Sequence, residues 1–239
     1  MRLAALLAVT LGLGTLVPMG PAAAAGSFEL DLYRSGDFVA QTNLVQCVGA
    51  SMQMMINLVS VEDDRTAETQ HRLWQLARQY SPPRPADRPP RRGASVHGWA
   101  RGLNEIGEGP YRVVGYPTIE EATAAGARAI RLTGRPVGLL VWAGRHAWVM
   151  SGFSATADPL TTSDFQVTGV DVLDPLYPRD SRTWGPSPEP GGRLSLANLG
   201  RQFVPRRRGW SGSLAQMYVI VMPVTIESRW LGGLSPRIS

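Results

Sequence analysis

The chain has 239 residues, 44% of them hydrophobic, and a formal net charge of +5. All 24 basic residues are arginines, and the arginine-rich runs at residues 88–92 and 206–208 are not interleaved with aromatic side chains as they are in nucleic-acid-binding modules. We therefore expect no nucleic-acid partner. The two runs are predicted to be solvated loops, with contact to anionic cell-wall polymer as the alternative.

The first 25 residues are typical of an export signal. Arg2 supplies a basic start, residues 3–17 form an apolar run, and the alanines at 22–25 suit a signal peptidase. We expect cleavage after Ala25, which leaves residues 26–239 as a single domain of a secreted or cell-surface protein. The alternative is an uncleaved N-terminal anchor. No later apolar run is long enough to span a membrane.

Helical patterns dominate the first half of the chain. The predicted elements are a short strand at residues 38–39 and helices at 48–61, 66–80 and 95–106. The last of these helices is indicated by Val96, Trp99 and Leu103, which recur at helical spacing. The proline- and arginine-rich segment 81–93 is predicted to be a loop.

Strand patterns dominate the second half. The predicted elements are strands at residues 111–116, 137–142, 146–153, 165–173 and 216–224, and helices at 118–132 and near 194–199. Thr118 followed by Glu121 is a capping-box pattern that marks the start of the longer helix. The sequence therefore predicts an α+β fold, in which a helical N-terminal lobe packs on an antiparallel β-sheet lobe with a cleft between them.

Cys47, the only cysteine, lies where a polar run gives way to an apolar helical run. Its thiol is therefore expected at a helix N-terminus, where free N–H groups and the helix dipole favour a thiolate. A single cysteine in an exported chain forms no internal disulfide, which makes it a candidate reactive group. The competing interpretation is a buried structural thiol, since free cysteines are among the most buried residues.

A histidine and a carboxylate follow at a distance along the chain. His146 begins a strand-like run, and Asp174 precedes Pro175 at the end of another. With Cys47 they would supply a nucleophile, its base and the group that orients the base. Asp171, three positions earlier, is the alternative to Asp174. We favour Asp174 because the following proline restricts it to an extended conformation at the strand end.

Gln41 is the candidate oxyanion donor. It lies six residues before the thiol, on the loop that leads into the helix, and its side-chain amide would act together with the backbone N–H of Cys47. Gln46 is adjacent to the thiol in sequence and would project away from it, whereas Gln53 is almost two helical turns further on. The simplest alternative is that Gln41 is a surface residue.

The order Gln41, Cys47, His146 and Asp174, with small residues after the cysteine and an Asp-Pro pair at the end, resembles the papain-like cysteine peptidases. It is most similar to the double-glycine peptidases that process bacteriocin leaders, and to their secreted relatives. The resemblance covers roughly residues 39–175. It implies a papain-like fold with these four residues as the catalytic site. The chain departs from the family pattern near residues 154–163, where it has an insertion.

The resemblance implies an exported enzyme, expected to be a monomer, that cleaves peptide or isopeptide bonds of a peptide or protein substrate. A transglutaminase-like acyltransferase would use the same groups, and a catalytically inactive binding module of this fold is the alternative from another class. His71 and His97 lack partners at ligand spacing, so we expect no metal site. No cofactor is expected, because no glycine-rich phosphate loop follows a strand.

Overall fold

The computed structural model describes residues 27–84, 86, 89–207 and 212–225. The expected signal peptide and its cleavage site lie outside these residues. In the described part, the helices are α1 (Cys47–Asn57), α2 (Ala67–Gln79), α3 (Val96–Glu105), α4 (Ile119–Thr133) and α5 (Leu196–Leu199). The strands are β1 (Phe28–Asp31), β2 (Tyr111–Tyr116), β3 (Val137–Val141), β4 (His146–Ala155), β5 (Val167–Leu173), β6 (Gly192–Leu194) and β7 (Tyr218–Pro223). None of these helices is both long and apolar enough to cross a membrane.

The strands form one antiparallel sheet in the order β2-β7-β3-β4-β5-β6, and β1 pairs with β4 outside this path. Strand β4 is central and has neighbours on both edges. Its beginning pairs with β3, where His146 lies opposite Val141, and its end pairs with β1, where Ala155 lies opposite Phe28. The α+β class predicted from the sequence is confirmed.

The two faces of the sheet carry separate groups of helices. Side chains alternate between the faces along a strand. In β4, Ala147 and Val149 belong to the hydrophobic core shared with α1, α2 and α3, whereas Trp148 and Met150 belong to the core shared with α4 and α5. Helices from the first half of the chain therefore cover one face, and helices from the second half cover the other.

Three helices begin where the sequence predicted, each after a capping side chain, of which only Thr118 was itself predicted as a cap. Thr66, Ser95 and Thr118 precede α2, α3 and α4, and each side-chain oxygen accepts a hydrogen bond from the backbone N–H three residues later. These bonds satisfy donors that have no partner within the helix. Because such a cap depends only on residues three apart, the sequence alone was sufficient to locate these starts.

Two local predictions were wrong, and two short strands were missed. Phe38 and Val39 form no strand; they pack among the helices of the first core. Helix α1 ends at Asn57 rather than at 61, and the Asn57 side chain exchanges two hydrogen bonds with the backbone of Asp64, which holds the chain in a loop. Strands β1 and β6 were not predicted, because each is only a short edge strand whose pairing depends on a distant partner.

Candidate active site

Cys47 is the first residue of α1 and is partly exposed. One turn further on, the Ser51 hydroxyl donates a hydrogen bond to the backbone oxygen of Ala147, at 3.2 Å in the buried interior. Ala147 directly follows His146 in β4. This hydrogen bond joins the helix that carries the thiol to the strand that carries the imidazole, although Cys47 and His146 are far apart in sequence.

The N-terminus of α1 has no side-chain cap. Gln46 occupies the N-cap position, but its amide nitrogen donates to Nδ1 of His71 at 2.8 Å, and its amide oxygen accepts from the Thr42 hydroxyl. Gln70 on α2 also accepts from the backbone N–H of Thr42, at 2.8 Å. These bonds hold the loop before Cys47 against α2. The first-turn N–H groups of α1 are thereby left without a side-chain acceptor, which suits an anion at this position.

His146 forms a buried hydrogen bond with Asp174. Its Nε2 atom lies 2.7 Å from Oδ1 of Asp174, and both side chains are almost completely shielded from solvent. Asp174 directly follows β5, which pairs antiparallel with β4, so the end of β5 lies near the start of β4. The backbone N–H of Leu176 donates to the same carboxylate oxygen at 2.8 Å and helps to orient it.

The environment of His146 favours its protonated form. Burial by itself lowers the pKa of the imidazole, but hydrogen bonds to Asp174 and Cys47, together with the charges of these two residues, raise the pKa to about 9. Because Nε2 is engaged by Asp174, Nδ1 is the ring nitrogen left to face the thiol. An imidazolium at neutral pH can stabilise a thiolate and can later release a proton to a leaving group.

We expect His146 to titrate near pH 9 in the folded protein, against 6.5 for an ordinary histidine. A raised pKa means that the stability gained from protonating His146 is complete below about pH 6.5 and is lost as the pH rises through about 9. In the Cys47→Ala variant the midpoint should fall, since one hydrogen bond and one charge are removed. Ring-proton NMR of the two proteins measures both midpoints; equal midpoints would contradict the coupling.

Asp171, the alternative carboxylate, has a different partner. It lies in β5 opposite Gly152, six residues along β4 from His146, which corresponds to about 20 Å of strand. Its two oxygens accept from Nε and Nη2 of Arg193 at 2.8 and 3.1 Å. Burial raises the pKa of Asp171, and Arg193 opposes this shift. The structure therefore brings Asp174, and not Asp171, to the imidazole.

Gln41 is buried beside the chain that follows Asp174. Its backbone N–H donates to the carbonyl oxygen of Pro175 at 2.7 Å. Its side-chain nitrogen donates to the carbonyl oxygen of Asn43 at 2.9 Å, which leaves one of the two amide hydrogens unused by that bond. Gln53, in contrast, donates to Asp64 and the Thr66 backbone. Of these two glutamines, only Gln41 is placed beside the Asp174–Pro175 segment.

One tryptophan that was not predicted as a site residue stacks on the imidazole, and a second stacks on the first. The Trp142 ring lies 4.1 Å from the His146 ring, centroid to centroid, at an angle of 20°. Trp184 is parallel to Trp142 at 6.4 Å. The Trp142 indole nitrogen donates to the Gln202 side chain at 2.8 Å, which fixes the ring. One face of the imidazole is thus covered by an aromatic layer that excludes water.

The turn between β3 and β4 has an unusual backbone. Trp142 and Ala143 both have positive φ, 57° and 53°, and Gly144 follows at 91°. Positive φ in residues other than glycine costs about 1–3 kcal/mol each and is concentrated at functional sites. A tryptophan in a tight turn just before the histidine was the available sequence signal, but its conformation depends on the bond to Gln202.

No group of three or more His, Cys, Asp or Glu side chains suited to a metal ion occurs within the described ranges. The arrangement near Cys47 instead combines a nucleophile, a proton donor and acceptor, and a buried carboxylate. These are the groups that acyl transfer through a thioester requires.

No protein-family model matches the sequence, and no curated protein sequence does. Among solved structures, the chain is similar to UfSP from C. elegans, with a TM-score of 0.40 and 15% sequence identity. The similarity covers 76% of this chain and 30% of the UfSP chain.

Proposed function

We propose that the protein is a papain-like cysteine peptidase that hydrolyses peptide or isopeptide bonds. The observation that carries the proposal is the buried hydrogen bond between His146 and Asp174, next to Cys47 on an uncapped helix N-terminus. Buried ionic pairs contribute little to stability relative to well-packed apolar side chains. Such a pair, coupled through the pKa of His146 to a partly exposed thiol, is better explained by chemistry than by folding.

The reaction begins from a Cys47 thiolate and a protonated His146. The sulfur attacks the carbonyl carbon of the scissile bond, and the carbonyl π electrons move to oxygen. As the tetrahedral intermediate collapses, the C–N bond breaks and His146 protonates the leaving amine, which leaves a thioester on Cys47. Neutral His146 then removes a proton from water, and the hydroxide attacks the thioester. Collapse releases the carboxylic acid and restores the ion pair.

Two donors are proposed for the oxyanion of each tetrahedral intermediate. One is the backbone N–H of Cys47, at the uncapped start of α1. The other is the remaining amide hydrogen of Gln41, whose side chain is held by Asn43. One such donor typically contributes about 3 kcal/mol of transition-state stabilisation. Asp174 holds the imidazole through Nε2, so that Nδ1 stays directed to the sulfur.

The cleft is proposed to lie between the start of α1 and the turn before β4, with the substrate entering where Cys47 is exposed. Export through the N-terminal signal would place this activity outside the cell. Acyl transfer to an amine would follow the same first half of the reaction, with the amine replacing water.

Labelling of Cys47 by iodoacetamide tests whether the thiol is reactive. Because this is the only cysteine, mass spectrometry of the intact protein measures its rate directly. We expect the folded protein at pH 6 to react at least about tenfold faster than the urea-unfolded chain, since an ordinary thiol with a pKa near 8.5 is almost fully protonated there. Labelling that requires unfolding would instead identify a structural thiol and an inactive module.

Cleavage of a proteome-derived peptide mixture, with Cys47→Ala as control, then tests hydrolysis.

A further inference from the structure

Arg206 is a buried cation without a counter-ion in the described part of the structure. Arg206 as a whole is 9% exposed, and the Nε and Nη1 atoms of its side chain are buried with no hydrogen-bond partner. Burial lowers the pKa of its guanidinium, and the charge of Arg91 lowers it further. A buried charge normally requires pairing, because removing it from water is costly. The folded protein therefore keeps an unpaired guanidinium in place.

The position of Arg206 relates it to the proposed active site. A Cβ atom added to Gly144 would lie 3.0 Å from Cγ and 3.3 Å from Nε of Arg206, so this side chain packs on the turn that leads into His146. The backbone of Arg206 is held from both sides. Its N–H donates to Met217 at 2.9 Å, and its carbonyl oxygen accepts from Gln216 at 2.8 Å. The guanidinium thus sits on a fixed support beside the start of β4.

His97 and Arg91 are two further basic side chains whose charges are coupled to the region around Arg206. His97 is exposed in the first turn of α3, and its pKa is lowered by partial burial and then by the charges of Arg206 and Arg91. The loop of Arg91 passes close to the thiol segment, since a Cβ added to Gly93 would lie 3.4 Å from the carbonyl oxygen of Val45. Only positive charges take part in these shifts. The Arg91 loop therefore lies near the loop before Cys47, and Arg206 packs on the turn before His146.

We propose that Arg206, with Arg91 and His97, binds a carboxylate of the peptide substrate beside the reactive thiol. This proposal rests on the peptidase function proposed above. Carboxylates are the anions that an unmodified peptide carries, either on an acidic side chain or at its C-terminus. A guanidinium with unpaired N–H groups is suited to them, because carboxylate oxygens accept its hydrogens in a fixed geometry. The bound carboxylate would supply the missing counter-ion of Arg206.

Two alkylating reagents that differ in charge test the proposal. The rate of Cys47 alkylation is measured with iodoacetate and with iodoacetamide, in the wild type and in Arg206→Met. We expect the ratio of the iodoacetate to the iodoacetamide rate to fall about fivefold in the variant, since a nearby positive charge attracts only the anionic reagent. A change in thiolate content affects both rates and cancels in the ratio. Arg112→Met, an exposed arginine on β2, is the matched control and should leave the ratio unchanged.

The outcomes separate the two proposals. An unchanged ratio in Arg206→Met would overturn the carboxylate site while leaving the peptidase proposal standing. If neither reagent labels the folded wild type, the peptidase proposal fails, and the NMR titration described next decides the carboxylate site. Should Arg206→Met not fold, Arg91→Met combined with His97→Gln must lower the ratio, and an unchanged ratio there would overturn the proposal.

NMR of the arginine Nε–H signals tests binding directly and distinguishes the two sources of carboxylate. The probes are N-acetylglutamine, which has a free α-carboxylate, and N-acetylglutamate α-amide, which has only a side-chain carboxylate. N-acetylglutamine amide, which has neither, is the control. We expect one or both of the acids to shift the Arg206 signal, and the acid that binds at lower concentration identifies the source. Equal, negligible shifts with all three probes would overturn the proposal.

Discussion

Replacing Cys47 or His146 by alanine is expected to abolish peptide hydrolysis, with a fall in kcat/KM of at least about 10⁴-fold. Cys47→Ala removes the atom that forms the thioester. His146→Ala removes the proton donor for the leaving amine and the cation whose pKa is raised by the neighbouring Cys47. Both effects act on one chemical step, so the double variant should be little worse than either single variant. Initial rates on a peptide cleaved by the wild type measure all three.

The folding and the Tm of these variants are measured together with their activity. Cys47 is partly exposed, so Cys47→Ala should unfold at a temperature close to that of the wild type. His146→Ala removes a buried ring that contacts Trp142, and a lower Tm is expected. For this variant the alkylation rate of Cys47 at pH 6 should fall about a hundredfold while the protein remains folded. Substantial hydrolysis by folded His146→Ala would contradict the proposed mechanism.

Replacing Asp174 by alanine is expected to lower kcat/KM roughly 10²- to 10³-fold, since the imidazole loses its orienting partner and a source of its raised pKa. The midpoint of the His146 titration should fall at the same time, because burial then opposes protonation with less compensation. Rates measured between pH 5 and 10 show both effects, as lower activity and as a descending limb that begins at lower pH.

Asp171→Ala is the matched control for this change. Asp171 lies in the preceding strand and is also buried, but it pairs with Arg193. Its loss should reduce stability while leaving kcat/KM within about threefold, because Arg193 can still pair with Glu29. If Asp171→Ala were the crippling variant and Asp174→Ala were mild, the assignment of the orienting carboxylate would be wrong. If neither variant affects the rate, a Cys–His pair acts without a third residue.

Features that depend on neighbours along the chain could be predicted from the sequence. The period of apolar residues located α3, and the capping-box residue Thr118 located α4, because a helix start is defined within one turn. The position of Cys47 at the first residue of α1 follows from the same local change from polar to apolar residues. Strand-like runs of residues also located β2, β3, β4, β5 and β7.

Features that depend on distant residues required the tertiary structure. Asp171 and Asp174 could not be separated from the sequence with certainty, since their partners, Arg193 and His146, are assigned by the register of β5 with its neighbours. The short edge strand β1 likewise exists only because β4 extends beyond β3 to pair with it.

The aromatic layer and the unpaired cation also depend on residues that are distant in sequence. Trp142 stacks on His146 only because Gln202, sixty residues later, fixes its ring through a hydrogen bond. Arg206 lies in an arginine run that the sequence indicated to be a solvated loop, yet its side chain is buried against Gly144. The sequence by itself determined the α+β class and the order of the candidate catalytic residues. Their partners were decided by packing, because burial and pairing arise between segments that no local pattern connects.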